Sequence, residues 1–327
     1  MKLKVAFVGF RHNHIDGLYK RMTDHQELEI VAACEEYAPA IEDAEKKGFK
    51  ITHTSFQKML EEVDFDILAV GDYYGIRGAR AIAGLKAGKH IITDKPLCTS
   101  LKELKEISSL SRRNHLVIGE MLDLRSSGNV AAARYAIRDG VIGQIHQIQF
   151  TGQHPLSWGT RPAWYFEKGK HGGTINDIAI HGTDLTEYLT GCEIATPLAA
   201  RCWNAYAVLA PDFKDSAQGM YTLDNGCGVI FDVSYAAPAP CATPYYWHFS
   251  IWGTKGVLDF HCSSNGVTLY AAGESEGKLL PPGKPEIDYL DTFLKEIKGD
   301  PDPSFNTEHI LSISGKTLAL QALADHC

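Results

Sequence analysis

The first 120 residues alternate short apolar runs with amphipathic segments, and this alternation constrains the fold more than any other feature of the sequence. The apolar runs predict strands at residues 4–9, 29–34, 66–70, 90–93 and 115–118. Helices are predicted around them at residues 15–25, 38–47, 78–87 and 100–112. Continuous apolar strands separated by helices are typical of a parallel sheet covered on both faces. We therefore predict an α/β, doubly wound sheet, with ligands beyond the carboxyl ends of its strands.

The pattern changes after residue 121. Strand-like runs separated by turns now dominate, at residues 144–151, 196–209, 218–223, 228–235, 247–252 and 257–260. Asp224-Asn225-Gly226 is a strong hairpin signal between two of them. We expect a domain over residues 1–121 and a second α/β domain over 122–327, with an open, mainly antiparallel sheet. Two closing helices are predicted at 286–298 and 308–325.

The bulk properties exclude several classes of function. A length of 327 residues suits two domains. The net charge of −8 argues against nucleic acid or an anionic membrane as the main partner. No apolar stretch approaches the roughly 20 residues that span a bilayer. The eight cysteines contain no C-x-x-C pair, and the N-terminus does not resemble a targeting segment. We expect a cytoplasmic protein with reduced thiols.

A glycine after the first strand and an acid after the second suggest a Rossmann-type dinucleotide fold. The usual fingerprint is G-x-G-x-x-G, but here residues 9–14 read Gly-Phe-Arg-His-Asn-His, and only Gly9 remains. Arg11 either replaces the lost backbone approach by contacting a phosphate directly or is a solvated surface residue. Glu35 is placed to accept hydrogen bonds from ribose hydroxyls, which favours NAD over NADP. NADP stays possible because Arg11 would attract a further phosphate.

His12 and His14 form a His-x-His pair that could suggest a metal. No third nitrogen or sulfur ligand lies nearby in the sequence, and histidines in loops commonly have no ligand role. We therefore expect no metal site.

The segment from residue 172 to 184 carries a candidate for acid–base chemistry. Thr174 is a predicted helix N-cap, and Asp177 and His181 follow on one helix face. A carboxylate four residues before an imidazole can orient the ring and stabilise its protonated form, as a general base requires. The alternative is that Asp177 only completes a capping box and that His181 is a half-buried structural residue.

A second candidate is Asp94-Lys95-Pro96, which follows the strand at 90–93. Lys95 then lies at the carboxyl end of that strand, where the nicotinamide of a dinucleotide would bind. A buried ammonium could hold a reacting hydroxyl and stabilise alkoxide character as hydride leaves. The alternative is an ordinary surface lysine before a turn.

Together these two segments resemble a known family. Residues 87–97 read Ala-Gly-Lys-His-Ile-Ile-Thr-Asp-Lys-Pro-Leu, and residues 172–181 read Gly-Gly-Thr-Ile-Asn-Asp-Ile-Ala-Ile-His. They are similar to A-G-K-H-V-x-x-E-K-P-L and G-G-x-x-x-D-x-x-x-H of the glucose–fructose oxidoreductase/inositol dehydrogenase (Gfo/Idh/MocA) family. Residues 161–165, Arg125 and the closing helices extend the resemblance over nearly the whole chain.

The resemblance implies roles by position. Lys95 corresponds to the lysine that contacts the reacting hydroxyl and the nicotinamide, His181 to the general acid/base, and Asp177 to the carboxylate that binds substrate and orients the histidine. The family's open sheet implies a homodimer or homotetramer. Asp94 replaces a glutamate, and Asp72-Tyr73-Tyr74 replaces Thr-Pro-Asn beneath the cofactor. The predicted cofactor contacts are Gly9, Phe10, Arg11, His12, Glu35, Asp72, Tyr73, Tyr74, Asp94 and Lys95.

The leading hypothesis is an NAD-dependent oxidoreductase that acts on a secondary hydroxyl of a sugar, polyol or related cyclic substrate. One alternative is a redox-assisted lyase or glycoside-cleaving enzyme with tightly bound NAD, and another is a non-catalytic ligand sensor. Trp164 is either a substrate contact or a core residue. The predicted substrate contacts are Arg125, His154, Trp158, Arg161, Trp164, Asp177 and His181.

Overall fold

The computed structural model describes residues 2–238 and 244–326, and the chain divides into two compact units. Unit 1 comprises Met1–Met121, Pro162–Gly172 and Tyr289–Leu311. Unit 2 comprises Leu122–Arg161, Gly173–Asp288 and Ser312–Cys327. Two later segments thus group with the first 121 residues, and the division into domains 1–121 and 122–327 stays a prediction.

The sheet of unit 1 is parallel throughout and has the order β2-β1-β3-β4-β5. Its strands are β1 (Leu3–Val8), β2 (Leu28–Cys34), β3 (Ile67–Val70), β4 (His90–Thr93) and β5 (Ile118–Glu120). All four residues of β3 are buried, as expected for a strand covered on both faces. β5 begins later than predicted because His115, with φ 52°, ends the preceding helix in the left-handed conformation.

The helices of unit 1 are α1 (His14–Asp24), α2 (Ala38–Lys46), α3 (Phe56–Glu62), α4 (Tyr74–Lys86), α5 (Leu101–Asn114) and α8 (Tyr289–Ile297). Ser55 and Ser100 cap α3 and α5 with their side chains. α4 begins at Tyr74 rather than at residue 78. The reason is tertiary, because the backbone N–H of Gly75 donates to the carbonyl of Lys170 at 2.8 Å.

The sheet of unit 2 has the order β13-β12-β11-β10-β6-β9-β8-β7 and is antiparallel except where β6 pairs with β9. The strands are β6 (Ile145–Pro155), β7 (Ile194–Trp203), β8 (Ser216–Leu223), β9 (Gly228–Ala237), β10 (His248–Gly253), β11 (Gly256–His261), β12 (Val267–Ala271) and β13 (Lys278–Leu280). The predicted hairpin joins β8 to β9, with Gly226 at φ 84°. The predicted fold class, a parallel N-terminal sheet and a mainly antiparallel C-terminal one, is confirmed.

β7 is shorter than the predicted strand at 196–209. Residues 204–213 instead form a loop around Asn204, whose side-chain amide donates to the carbonyls of Ala207, Ala210 and Phe213 at 2.7–3.0 Å. An amide that satisfies several carbonyls stabilises a compact loop at the expense of the strand ladder.

The helices of unit 2 include α6 (Gly128–Arg138) and α7 (Ile180–Thr190), and α9 (Thr307–Asp325) runs through both units in sequence. One face of the sheet leaves apolar side chains exposed, among them Met220, Ile230 and Trp252. In the part of the chain that is described, no helix is both long and apolar enough to cross a membrane.

Candidate active site

The cofactor loop of unit 1 joins β1 to α1. Gly9 has φ 82°, and a Cβ atom there would lie 2.3 Å from Cβ of Asp72. Only glycine fits at this close approach between the ends of β1 and β3. The loop leads directly into α1, so the positive end of the helix dipole lies where a pyrophosphate binds in this fold.

Arg11 occupies the position of the second fingerprint glycine and does not extend into solvent. Its Nε atom lies 3.5 Å from Glu35 Oε1 and 3.3 Å from Asp72 Oδ1. Its guanidinium carbon lies over two aromatic rings, 4.8 Å from the centroid of Tyr37 and 5.1 Å from that of Tyr73. The side chain of Arg11 therefore connects the cofactor loop to the loop after β2 and to the loop after β3.

Glu35 directly follows the last residue of β2, Cys34, and its carboxylate is buried. Oε2 accepts a hydrogen bond from the N–H of Phe10 at 2.6 Å. Oε1 accepts from the N–H groups of Glu36 and Tyr37, both at 2.8 Å. With 1% of its surface exposed, Glu35 connects the cofactor loop to the start of the next loop.

Asp94 is the centre of a second polar cluster, at the end of β4. Its Oδ2 lies 2.5 Å from His12 Nδ1 and 2.6 Å from Arg77 Nη2, and its Oδ1 lies 3.3 Å from His14 Nδ1. Burial favours the neutral acid, but Arg77 and His12 outweigh it and hold the pKa of Asp94 well below its usual range. Burial lowers the pKa of His12 to about 4, with Asp94 opposing only in part. At neutral pH the cluster is thus an aspartate, an arginine and a neutral imidazole.

Arg77 was not predicted as a site residue, yet it is buried at the centre of this cluster. Besides Asp94, it donates to the carbonyls of Gly71 and Asp72 at 3.0–3.2 Å and to that of Lys95. It therefore fixes the main chain at the ends of β3 and β4, including the candidate catalytic Lys95. Lys95 itself is 5% exposed and precedes a cis proline peptide bond.

The ligand atoms of His12, His14 and Asp94 lie within 4.8 Å of one another, so the structure brings together a potential metal set that the sequence does not reveal. Asp94 offers an oxygen ligand and is far from the histidine pair in the sequence, so the local sequence does not indicate it. Arg77 contacts the same carboxylate, and its positive charge opposes the binding of a cation there. The arrangement fits an internal ion-pair network better than a metal site.

Segment 162–172 packs over the cofactor loop within unit 1. The indole N–H of Trp164 donates to the carbonyl of Arg11 at 3.1 Å, and Trp164 stacks on Tyr165 with 4.1 Å between centroids. The hydroxyl of Tyr165 lies 2.7 Å from that of Tyr74, which lies 3.2 Å from His12 Nε2. Trp164 is 5% exposed, so its placement in unit 1 supports the core interpretation rather than a substrate contact.

The segment after Gly173 forms the candidate catalytic helix of unit 2, which opens with a π-helical turn at Ile175–Ala179 before α7. The prediction that Thr174 caps this helix is wrong. Its hydroxyl donates to the carbonyl of Lys214, and Gln321 Oε1 accepts instead from the N–H groups of Ile175 and Asn176 at 3.0 and 3.3 Å. The cap comes from α9, too far along the sequence to be recognised.

Asp177 and His181 lie one turn apart on this helix, and both are buried. The hydroxyl of Tyr235, on β9, donates to Asp177 Oδ2. The ring of Trp247 lies 5.2 Å from that of His181. Neither Tyr235 nor Trp247 was predicted as a site residue, because each comes from a strand or loop far along the sequence. A buried loop tryptophan and a strand tyrosine carry no distinguishing signal in one sequence.

The remaining substrate candidates separate into three groups in unit 2. Arg125 is 1% exposed and forms a bidentate pair with Asp184 at 2.6 and 2.8 Å, which supports a structural role. Arg161 lies with its guanidinium 5.0 Å from the ring of Tyr235, and the ring of His154 lies 5.5 Å from that of Trp247. These two are therefore near the Asp177–His181 pair. Trp158 is exposed on the loop after β6.

The residues of unit 1 fit a dinucleotide. Gly9 permits the close approach between the ends of β1 and β3, and α1 begins directly after the loop. Glu35 follows the end of β2. A cavity of about 310 Å³ lies beside Arg11 and is lined by Tyr37, Trp164 and Lys170 among others. Aromatic faces and cations of this kind suit a planar base and phosphates. The residues that would hold the dinucleotide are those of the loop, Glu35 and the aromatic groups around Arg11.

Comparison with known proteins places both halves of the chain in one family. Residues 3–121 match a family described as "Oxidoreductase family, NAD-binding Rossmann fold". Residues 130–259 match the "GFO/IDH/MocA C-terminal domain". These matches confirm NAD as the cofactor of the family and agree with the resemblance of the two motifs.

Relatives named by their activity include dehydrogenases and reductases. The levoglucosan dehydrogenase of Pseudarthrobacter phenanthrenivorans is 30% identical over 46% of this chain and 40% of that enzyme. The myo-inositol 2-dehydrogenase of Thermotoga maritima is 24% identical over 81% of this chain and 79% of that enzyme. A solved levoglucosan dehydrogenase, in complex with NADH and levoglucosan, has a TM-score of 0.80 at 20% identity, covering 100% of this chain and 98% of that one, which shows a shared fold. The chain therefore belongs to the Gfo/Idh/MocA family of NAD-dependent oxidoreductases, which includes sugar and polyol dehydrogenases.

Proposed function

We propose that this protein reversibly oxidises a secondary hydroxyl of a sugar, a polyol or a related cyclic compound. The observation that carries the proposal is the buried Asp177–His181 pair of unit 2, set one helical turn apart beside aromatic side chains. A neutral imidazole held by a carboxylate is suited to take a proton from an alcohol. NAD⁺, when bound, supplies the acceptor for the hydride.

Each residue has a defined task in this proposal. His181 takes the hydroxyl proton as the carbon–hydrogen bond breaks. Asp177 orients the imidazole and stabilises its protonated form, and Tyr235 fixes the carboxylate by donating a hydrogen bond. Lys95 holds the substrate oxygen and stabilises its negative charge, while Arg77 fixes the Lys95 main chain.

The surroundings of the pair support a hydroxylated ring as substrate. The rings of Trp247 and Tyr235 are buried beside His181 and Asp177, and the half-buried ring of His154 lies against both of them. Arg161 adds a guanidinium above Tyr235. Aromatic faces pack against the carbon–hydrogen faces of sugars, and a few polar groups fix their orientation.

The proposal is tested by mixing purified protein with NAD⁺ and a panel of sugars and polyols and following the absorbance of reduced nicotinamide. We expect His181→Ala and Lys95→Ala to lower kcat/KM by about 10²–10⁴-fold, the range of general acid–base and electrostatic contributions. The exposed residues His146 and Lys102 give matched controls, and their alanine variants should keep the wild-type rate. Full activity of either site variant would refute the mechanism.

A second candidate function is a redox-assisted lyase or glycoside-cleaving enzyme that keeps NAD bound through turnover. The observation in its favour is segment 162–172, which packs over the cofactor loop through Trp164 and lines the neighbouring cavity. Such a cover would slow exchange of the cofactor. Nucleotide that remains bound through gel filtration, together with turnover that yields no net reduced nicotinamide, would favour this function over the first.

We also propose that the protein is a homodimer or homotetramer formed through the sheet of unit 2. Leu198, Met220, Ile230 and Trp252 are each 39–53% exposed on that sheet. Contiguous apolar surface on a sheet face is typical of a protein interface. Light scattering of the wild type and of Trp252→Glu would show whether this face associates.

The cysteines support a reducing compartment such as the cytoplasm. Cys34, Cys98, Cys192, Cys202, Cys227 and Cys262 are free thiols. Cys241 and Cys327 lie outside the described residues. Titration of thiols in protein purified without reductant tests this proposal.

A further inference from the structure

The carboxylate of Glu35 is already hydrogen-bonded within the protein, although the dinucleotide fold uses an acid at this position to bind a ribose. In this fold the acid that ends the second strand accepts hydrogen bonds from the ribose hydroxyls of the adenosine. Here the carboxylate of Glu35 is 1% exposed, and its oxygens already accept from three backbone N–H groups. The Arg11 side chain lies against Oε1 at 3.5 Å.

The rings of Tyr37 and Tyr73 form what we call the tyrosine slot. They flank the residues where an adenosine would lie, because Tyr37 follows the end of β2 and Tyr73 follows the end of β3. The guanidinium of Arg11 lies over both rings, at 4.8 and 5.1 Å from their centroids. A planar cation therefore fills the position that a planar base requires.

We infer that Arg11 is an exchangeable occupant of the adenosine subsite. The adenosine of a nucleotide competes with the guanidinium for the tyrosine slot and for Glu35. The displaced guanidinium then pairs with the pyrophosphate and supplies the phosphate contact that the missing second glycine would have allowed. One side chain thus couples recognition of the base to recognition of the phosphates.

Several features make this exchange feasible. The Arg11 side chain is 18% exposed, whereas Glu35 and Asp72 are almost fully buried, so the arginine is the member of the cluster that can move. A purine stacks on tyrosine at least as strongly as a guanidinium does. The main chain of Arg11 stays in place, because Trp164 holds its carbonyl at 3.1 Å. The cavity beside Arg11, of about 310 Å³, gives the side chain and the nucleotide room.

The experiment measures the dissociation constants of adenosine, which has no phosphate, and of NAD⁺ by calorimetry, for the wild type and for Arg11→Ala. Removing the competing side chain should make adenosine bind more tightly, by several fold. Removing the phosphate contact should make NAD⁺ bind more weakly, by about tenfold or more, as for the loss of a hydrogen bond to a charged group. The two ligands should therefore respond in opposite directions.

Two further variants sharpen the test. Arg11→Lys keeps the charge but not the planar group. It should therefore bind adenosine more tightly than the wild type does and lose less NAD⁺ affinity than Arg11→Ala. Tyr37→Leu removes a wall of the slot and should weaken both ligands. Arg113, an exposed arginine at the end of α5, gives the matched control, and Arg113→Ala should change neither constant.

The inference is overturned if Arg11→Ala weakens both ligands equally, since Arg11 would then be a permanent part of the adenosine site. It is also overturned if neither constant changes, or if the folded wild type binds neither ligand. The readout is nucleotide affinity and does not depend on the sugar chemistry. An inactive protein whose two affinities respond as expected would refute the proposed function and leave this inference standing.

Discussion

The cofactor loop of unit 1 and the catalytic segment of unit 2 reach defined geometries by different means. The catalytic segment uses close backbone approaches: a Cβ atom at Gly173 would lie 2.2 Å from the Gln321 side chain, and one at Gly182 would lie 2.0 Å from the ring of Phe150. The cofactor loop has lost two of its three fingerprint glycines and is held by side chains, with Arg11 on Glu35 and His12 on Asp94.

This difference separates two ways of fixing a functional loop. Where glycine allows main chains to approach, the geometry is set by excluded volume and depends little on pH. Where ionisable side chains make the connection, the geometry depends on buried charges that must stay compensated. Changes of pH and the loss of single charges at the cofactor loop should therefore lower the stability of the protein. In the catalytic segment, added side-chain volume should have the larger effect on stability.

The largest effect is expected from Arg77→Met. The substitution removes the cation beside Asp94 and the donor to the carbonyls of Gly71 and Lys95. Leaving a buried charge without its partner costs about 3–5 kcal/mol of unfolding free energy. Denaturation by urea measures the loss. Arg125→Met in unit 2 breaks the comparable buried pair with Asp184 and should cost a similar amount. A loss below 1 kcal/mol for Arg77→Met would contradict a central role for this cluster.

The second prediction concerns pH and His12. Burial lowers its pKa from the usual 6.5 to about 4, so between these values the unfolded chain binds a proton that the folded chain does not. Stability should therefore fall as pH decreases from 6.5 to 4, by about 3 kcal/mol in total. In His12→Gln this part of the pH dependence should be absent, whatever the stability of the variant at pH 7. His146→Gln, at an exposed position, should keep the wild-type slope. Parallel curves for the wild type and His12→Gln would show that His12 does not control the acid response.

The sequence predicts the fold well because periodicity and turn chemistry are local. The strands of unit 1, the hairpin at residues 224–226 and the closing helices follow from apolar spacing and from glycine. The errors occur where a distant group decides the outcome. Asn204 converts the end of a predicted strand into a loop, the carbonyl of Lys170 allows α4 to begin early, and Gln321 caps a helix that Thr174 was expected to cap.

Contacts between residues distant in the sequence also limit what could be predicted of the candidate active site. Two linear motifs predict Lys95, Asp177 and His181 as catalytic residues, and these roles stay predictions. The sequence could not pair His12 with Asp94 or Asp177 with Tyr235, because these partners lie 82 and 58 positions apart. Nor could it identify Arg77, because a buried arginine that serves main-chain carbonyls has the same appearance in a sequence as an exposed one. A linear motif identifies residue types but not the contacts that compensate their charges.

The third prediction tests sensitivity to volume in the catalytic segment. In Gly182→Ala the new methyl group would overlap the ring of Phe150 between α7 and β6, and we expect a loss of about 1–3 kcal/mol, the usual cost of overpacking. Gly17→Ala in α1 is the matched control, because nothing lies within 4 Å of a Cβ atom there. That change should stabilise the protein by about 0.5–1 kcal/mol, since glycine weakens a helix. Thermal unfolding of both variants should show shifts of opposite sign, and shifts of the same sign would contradict the comparison.

The smallest effect is expected from Tyr235→Phe, which removes the hydroxyl that donates to Asp177. The carboxylate then holds the imidazole of His181 less firmly, and we expect kcat/KM to fall about tenfold, corresponding to roughly 1.4 kcal/mol, with KM nearly unchanged. Because Asp177 without this donor is a stronger base, the acidic limb of the pH–rate profile should shift to higher pH. Tyr221→Phe is the matched control: Tyr221 is also a buried tyrosine of unit 2, but its hydroxyl lies 2.8 Å from that of Thr186. It should lower stability by about 1 kcal/mol and leave the pH–rate profile in place. If both variants lost only stability, Tyr235 would be a structural residue, and the catalytic segment would depend on packing alone.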